Sequence, residues 1–208
     1  MKKFRLLFAA LFAAGLLASC SNSDNTEVTT ASTAIAATAV IENIMTRTSI
    51  RQFTDQPVGK DTLDVIFKAG MAAQSAMNKQ PWAFVVVTDK TVLDSLNAVH
   101  PHANLQTATA AIIVAGNMQK TIEGQGREYW VQDCSAATEN ILLAAHAYGL
   151  GAVWCGVYPM PDRVADVSRV LGLPDYIIPL NIITMGYPAQ NPEPKDKFLE
   201  ENVHYQKW

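Results

Sequence analysis

The chain has 208 residues, of which 49% are hydrophobic and 17% charged, a balance that excludes a disordered or repetitive polypeptide and predicts one domain with a substantial core. Its formal net charge of -3, without a basic tract, argues against a nucleic-acid partner, which needs a concentrated cationic face to displace counterions.

In chain order, Lys2, Lys3 and Arg5 precede an apolar run over residues 6–18 that meets Ser19 and Cys20. At ~1.5 Å per residue such a run makes roughly 20 Å of helix, short of a ~30 Å hydrocarbon core, so residues 1–19 are expected to be a signal peptide rather than a span. Leu17-Ala18-Ser19-Cys20 resembles a bacterial lipoprotein cleavage box. That resemblance implies lipid attachment at Cys20 and an exported protein held at a membrane of the cell envelope by the lipid alone. Residues 20–38, rich in Ser, Thr and Ala and without an apolar period, are expected to be a flexible tether. The domain is then residues 39–208, about 170 residues.

Ile41, Ile44 and Met45 make a helical stripe, and Leu63, Ile66, Phe67 and Gly70 repeat that spacing further on. Runs rich in Val, Ile and aromatics predict buried strands over 84–88, 111–115, 152–158 and 181–185. Between the second and third, residues 130–148 predict a helix with Trp130, Cys134, Ala137, Ile141, Ala145 and Tyr148 on one face and Gly149 as its stop. Leu142, Leu143, Ala144 and Ala147 make its other face apolar too, which calls for burial all round and so for a second subunit. Pro161 opens a last helix through Val164, Val167 and Leu171, closed by Gly172 and Pro174. Helices on both sides of a mixed sheet define an α+β layer fold. Cys134 and Cys155 lie in apolar segments without metal-ligand spacing. They are read as buried thiols, a disulfide staying open for an exported chain.

Three segments carry the chemistry. Arg47-Thr48-Ser49-Ile50-Arg51 and Pro194-Lys195-Asp196-Lys197 each put polar or cationic side chains at alternate positions, on one face of an extended chain, where they can close on a phosphate. Gln74-Ser75-Ala76-Met77-Asn78-Lys79-Gln80-Pro81-Trp82 ends a helix on short polar side chains before a buried strand, a setting that suits a flat polar ring. Together they resemble the nitroreductase family of flavin enzymes. There an Arg-x-Ser-x-Arg opening, an Ala-Pro-Ser-x-x-Asn-x-Gln-Pro-Trp turn and a basic C-terminal pair all meet flavin mononucleotide (FMN).

The resemblance implies a three-layer fold with a central mixed sheet, an intertwined homodimer and FMN at the subunit interface. It implies that Arg47, Thr48 and Ser49 grip phosphate and ribityl chain, that Arg51 approaches the pyrimidine end, and that Lys195 and Lys197 close over the phosphate. Ser75, Ala76, Met77 and Asn78 would reach the flavin from the partner chain. Gly156 and Val157 would present backbone to the reactive N5, with no side chain required for acid–base work. The implied activity is oxidoreduction in which NADH, NADPH or an envelope partner supplies electrons for a planar acceptor such as a nitroaromatic or quinone. A related reductive dehalogenase or dehydrogenase, and a lipid-anchored FMN carrier without turnover, are the competing expectations.

Gln74 stands where the family usually has Pro, Thr48 where a second Arg is frequent, and Lys197 where Arg is frequent; the last loses a bidentate fork. Trp82 reads as core, Gln80 as a turn-locking amide and His146 as a satisfied core residue. His100 and His102 are expected in a loop around Pro101 which, with residues 123–129, would cover the substrate. Gly149-x-Gly151 follows a helix and lacks a third Gly, so it is no dinucleotide fingerprint.

Overall fold

The computed structural model describes residues 23–208, with side chains from Ala34 onward; the expected signal peptide and Cys20 lie outside the described residues. The chain divides into a unit ending at Val40 and a unit Ile41–Trp208. The segment expected to be an irregular tether is helical from Ser23, as part of α1 (Ser23–Thr46). Its alanines, the strongest helix formers, supply that propensity where an apolar stripe is lacking. Among the described residues no helix is long and apolar enough to cross a membrane.

Four strands, β1 (Trp82–Val87), β2 (Ala110–Asn117), β3 (Gly151–Gly156) and β4 (Ile177–Gly186), form one sheet in the order β1-β2-β4-β3. All three ladders are antiparallel, and the one parallel pairing among the described residues is the bridge Ser49 to Ala152. The expected mixed sheet is therefore met only at that edge. Although helices separate the strands in sequence, the ladders close between antiparallel neighbours.

The central strands explain the layering. Alternate side chains of β2 point to opposite faces, so Ile112 and Val114 join one core while Ala111 and Ile113 join another. The first core is shared with α2 (Lys60–Met71) and α4 (Tyr129–Ala147), the second with α3 (Lys90–Val99) and α5 (Pro161–Leu171). The result is the α+β fold with helices on both faces. Leu93 and Leu96 of α3 are 1% and 0% exposed, each worth roughly 1.5–3 kcal/mol of transfer free energy. Helix α3 escaped the sequence reading because its stripe is short, yet Asp89 caps it by accepting from the Val92 N–H at 3.1 Å.

Helix α4 is less uniformly apolar than its sequence implies. Asp133 and Thr138 are buried on it, Leu143 and Ala144 are half-buried, and Ala147 and Tyr148 are exposed. It crosses α2 closely: a Cβ on Gly70 would stand 2.8 Å from Ile141 Cγ1, so a larger residue there would force the Ile141 side chain to shift. Trp82 is buried, as expected, and Cys134 and Cys155 are separate buried thiols.

Candidate functional site

After α1 the chain runs extended along the open edge of β3. The Ile50 N–H donates to the Ala152 carbonyl at 3.1 Å, and the Thr54 N–H to the Tyr187 carbonyl at 2.9 Å. From the other side the Ala189 N–H donates to the Gln52 carbonyl at 2.9 Å, and Phe53 bridges Pro188. The segment is thus pinned between β3 and residues 187–189, which follow β4. The approach is close enough that a Cβ on Gly151 would stand 2.6 Å from Ile50 Cβ, which gives Gly151 its packing role.

Beside this segment opens a cleft of about 290 Å³, lined by Arg47, Thr48 and His146, by the apolar Ile50 and Leu142, and by Pro194 of the C-terminal segment. Arg47 Nε lies 3.5 Å from Glu139 Oε1 of α4, an acidic partner that aims the guanidinium. His146 is not a core residue. It faces this cleft, with Nε2 3.0 Å from Thr46 Oγ1. That hydroxyl gives its own proton to the Glu42 carbonyl at 2.7 Å, so the imidazole is the donor and Nε2 carries a hydrogen. Partial burial, and then the Arg47 charge, push the His146 pKa down.

The expected phosphate residues converge only in part. Arg47 and Thr48 line the cleft, Ser49 is held in the bridge to Ala152, and Arg51 is exposed. The C-terminal segment reaches the cleft through Pro192 and Pro194, while Lys195 and Lys197 are exposed and do not line it. Asp196 instead accepts from the Phe198 N–H at 3.0 Å, turning the chain there.

The Ser75 turn stands apart from that cleft within one chain. It is a 3-10 turn, Ala76–Asn78, anchored by the Ala76 N–H donating at 2.8 Å to Oδ1 of the buried Asp133. Gln80 locks it as expected: its N–H donates to Ser75 Oγ at 2.9 Å and its side-chain amide to Asn78 Oδ1 at 3.2 Å. Met77, Asn78 and Gln80 all take positive φ, at 51°, 53° and 49°, a strain of order 1–3 kcal/mol each. Met77 and Asn78 are exposed, so this polar edge is held outward at the surface.

At the end of β3 the sequence expectation needs one correction. The Val157 and Tyr158 N–H groups both donate to the Leu180 carbonyl at 3.0 Å, so Val157 has no free backbone donor. The cause is a register shift in β4: Val114 pairs with Asn181 but Ala115 with Pro179, leaving Leu180 unpaired in that ladder. Gly156 is exposed, and a Cβ added there would meet nothing within 4 Å. Its carbonyl faces His100 Nε2 at 2.9 Å and Arg163 Nη1 at 3.4 Å. His100, expected in a loop, is 3% exposed at the end of α3.

Asp133, Glu139 and Arg163 were missed in the sequence. Asp133 and Glu139 were legible as the acids interrupting α4; Arg163 carries no local signal.

A match to the Nitroreductase family covers residues 44–103 and 96–187. The chain belongs to that family. It is 45% identical over 172 residues to a protein of Methanothermobacter thermautotrophicus, covering 81% of this chain and 87% of that one. It is 43% identical to a solved structure from Parabacteroides distasonis, with a TM-score of 0.77 over 82% of this chain and 99% of that one. Both carry the name "Putative NADH dehydrogenase/NAD(P)H nitroreductase". The NADPH:FMN oxidoreductase of Vibrio harveyi, solved with NAD+, is 28% identical with a TM-score of 0.73, over 81% of this chain and 77% of that one.

Proposed function

We propose that this chain is an FMN-dependent oxidoreductase that draws electrons from NADH or NADPH and delivers them to a planar acceptor such as a nitroaromatic or quinone. The observation that carries this reading is the Arg47-Thr48-His146 cleft beside a pinned extended segment, in a chain of the nitroreductase family.

The residues present fit the cofactor. Arg47 and Thr48 offer charge and a hydroxyl to a phosphate, with the His146 imidazole beside them, and Ile50 and Leu142 give an apolar wall. When bound, FMN supplies a centre that takes up and releases a hydride equivalent. The protein's share is to hold and orient. Arg47, aimed by Glu139, fixes the anionic end, and the Ser75 turn offers the Asn78 amide N–H groups to a polar ring edge while Gln80 holds Asn78 Oδ1. A cleft of about 290 Å³ is at the small end for a cofactor site, and the Ser75 turn lies outside it. Completion of the site by a second copy of the chain, as a homodimer, follows from that reading. The exposed Ile41, Ile44 and Met45, and the exposed Phe198, Tyr205 and Trp208, are apolar surface available for such a partner.

Location is part of the proposal. Residues 1–20 support export and lipid attachment at Cys20, so an envelope electron donor competes with NADH and NADPH as the source of electrons. Retention of a Cys20→Ser variant on membranes as firmly as the native chain would refute lipid attachment.

The deciding experiment is reconstitution with FMN followed by anaerobic addition of NADH or NADPH. A yellow protein that bleaches and then reduces a nitroaromatic or quinone supports the reading. A protein that takes up no FMN overturns it, and tight FMN without turnover from any donor makes the chain a carrier.

A further inference from the structure

The Gly156 carbonyl is a meeting point of two side chains from different elements. His100, at the end of α3, sets Nε2 at 2.9 Å from it, and Arg163 of α5 sets Nη1 at 3.4 Å. A carbonyl oxygen only accepts, so Nε2 carries the hydrogen and Nδ1 is a bare acceptor. That Nδ1 is buried and has no partner, a cost of roughly 1–3 kcal/mol for a desolvated polar atom.

The rest of His100 is committed as well. Its N–H donates to the Leu96 carbonyl at 2.9 Å, and its carbonyl accepts from the Ala103 N–H at 2.8 Å. The imidazole is therefore a stiff strut from α3 to the end of β3. A second proton would add charge inside the protein, beside Arg163 and His102. Burial is the largest cause and lowers the His100 pKa; the Gly156 carbonyl and, less strongly, the His100 backbone oppose this, while Arg163 and His102 add to the lowering. The strut is neutral at neutral pH.

What the strut holds is an open peptide edge. The Ala152 carbonyl accepts from Ile50 on the outer side of β3, and by the two-residue alternation of a strand Gly156 directs its N–H and carbonyl to that same side. No Cβ-sized contact covers Gly156, and its carbonyl is already occupied. The N–H is the group left to meet a ligand.

We propose that His100 is a positioning residue: acting with Arg163 through the Gly156 carbonyl, it fixes the orientation of the backbone edge that faces the flavin ring. This rests on the FMN reading above. His100 touches neither cofactor nor substrate and acts only through that peptide.

The test compares the native chain with His100→Gln and His100→Leu. Glutamine keeps a side-chain N–H near the place of Nε2; leucine fills the volume and cannot donate. The Leu variant is expected to bind FMN about tenfold more weakly, equivalent to ~1.4 kcal/mol, with a shifted flavin reduction potential and faster hydrogen–deuterium exchange over residues 151–158. The Gln variant is expected to restore most of each. Equal FMN affinity, potential and exchange in the native and Leu proteins would overturn the proposal, as would equal impairment of Gln and Leu, which marks mere packing. If the Leu variant does not fold, Arg163→Gln probes the same carbonyl, with the same three readouts and a smaller expected effect. Failure of the native chain to take up FMN would overturn the flavin reading, whereas exchange in the FMN-free variants still decides whether the strut orders β3.

Discussion

Oδ1 of Asp133, buried on α4, accepts the Ala76 N–H at 2.8 Å, and this one bond ties the Ser75 turn to the centre of the domain. The turn carries three non-glycine residues at positive φ, so it needs an external anchor to keep its shape. Asp133→Ala should cost about 1–3 kcal/mol, because it leaves the amide without its partner. Urea denaturation measures the loss, and a change below ~0.5 kcal/mol would show that the turn holds itself.

Gly151 and Ile50 make a second close relationship with a clear outcome. A Cβ at Gly151 would fall 2.6 Å from Ile50 Cβ and 2.6 Å from Cγ2, both near the backbone and unable to swing away. Gly151→Ala should therefore destabilise the domain by about 1–3 kcal/mol and push the 47–51 segment off β3. A thermal melt gives the first effect and weakened FMN uptake the second.

Arg47 is the cationic phosphate residue that lines the cleft, so Arg47→Ala should weaken FMN binding by roughly 1.5–3 kcal/mol, the range for a bond to a charged group. Lys195→Ala and Lys197→Ala, at exposed positions outside the cleft, should each cost less than 1 kcal/mol. Quenching of FMN fluorescence on titration ranks the three. A lysine variant weaker than the arginine variant would show that the C-terminal segment supplies the principal phosphate contact.

Thiol reactivity should be low in the native fold. Burial pushes the Cys134 thiol up to about 12, and burial raises Cys155 as well. Thiolate is the reactive form, so neither should alkylate with iodoacetamide at pH 8 until the protein is unfolded. Mass spectrometry before and after addition of denaturant reads this directly.

Acid should weaken the fold through its histidines. His100 and His146 both have pKa values lowered chiefly by burial, so between those values and the unfolded value near 6.5 the unfolded chain binds more protons. Stability consequently rises with pH through that window and is lost on acidification below about pH 6.5. The urea midpoint of His100→Gln should change less than that of the native chain between pH 7.5 and 5.5, and parallel curves would contradict the assignment.

What could be read in advance followed the physics of each element. The four strands announce themselves through runs rich in Val, Ile and Ala, and β2 and β4, buried on both faces, are the most apolar, although β4 also buries Asn181 and Thr184. Arg47 and Thr48 were legible as a polar group arriving after an apolar stripe, and they do line a cleft. Strand direction was not legible, since it depends on which neighbours pair. The contacts of His100 and Arg163 were illegible for a related reason: His100 meets Gly156 from a distant part of the chain and Arg163 from the next helix, and no local pattern marks a side chain by the carbonyl it will find. His146 was misread because its helix is apolar, although that position looks into the cleft.

The skipped residue in β4 has wider reach than its size indicates. With Leu180 outside the β2 ladder, its carbonyl is available to take both the Val157 and Tyr158 N–H groups, and that double claim ends β3 after Gly156 and sends the chain into α5. A deletion at this single position would take away at once a buried core side chain and the carbonyl on which the edge strand ends. Where one strand stops is thus decided by an extra residue in its neighbour.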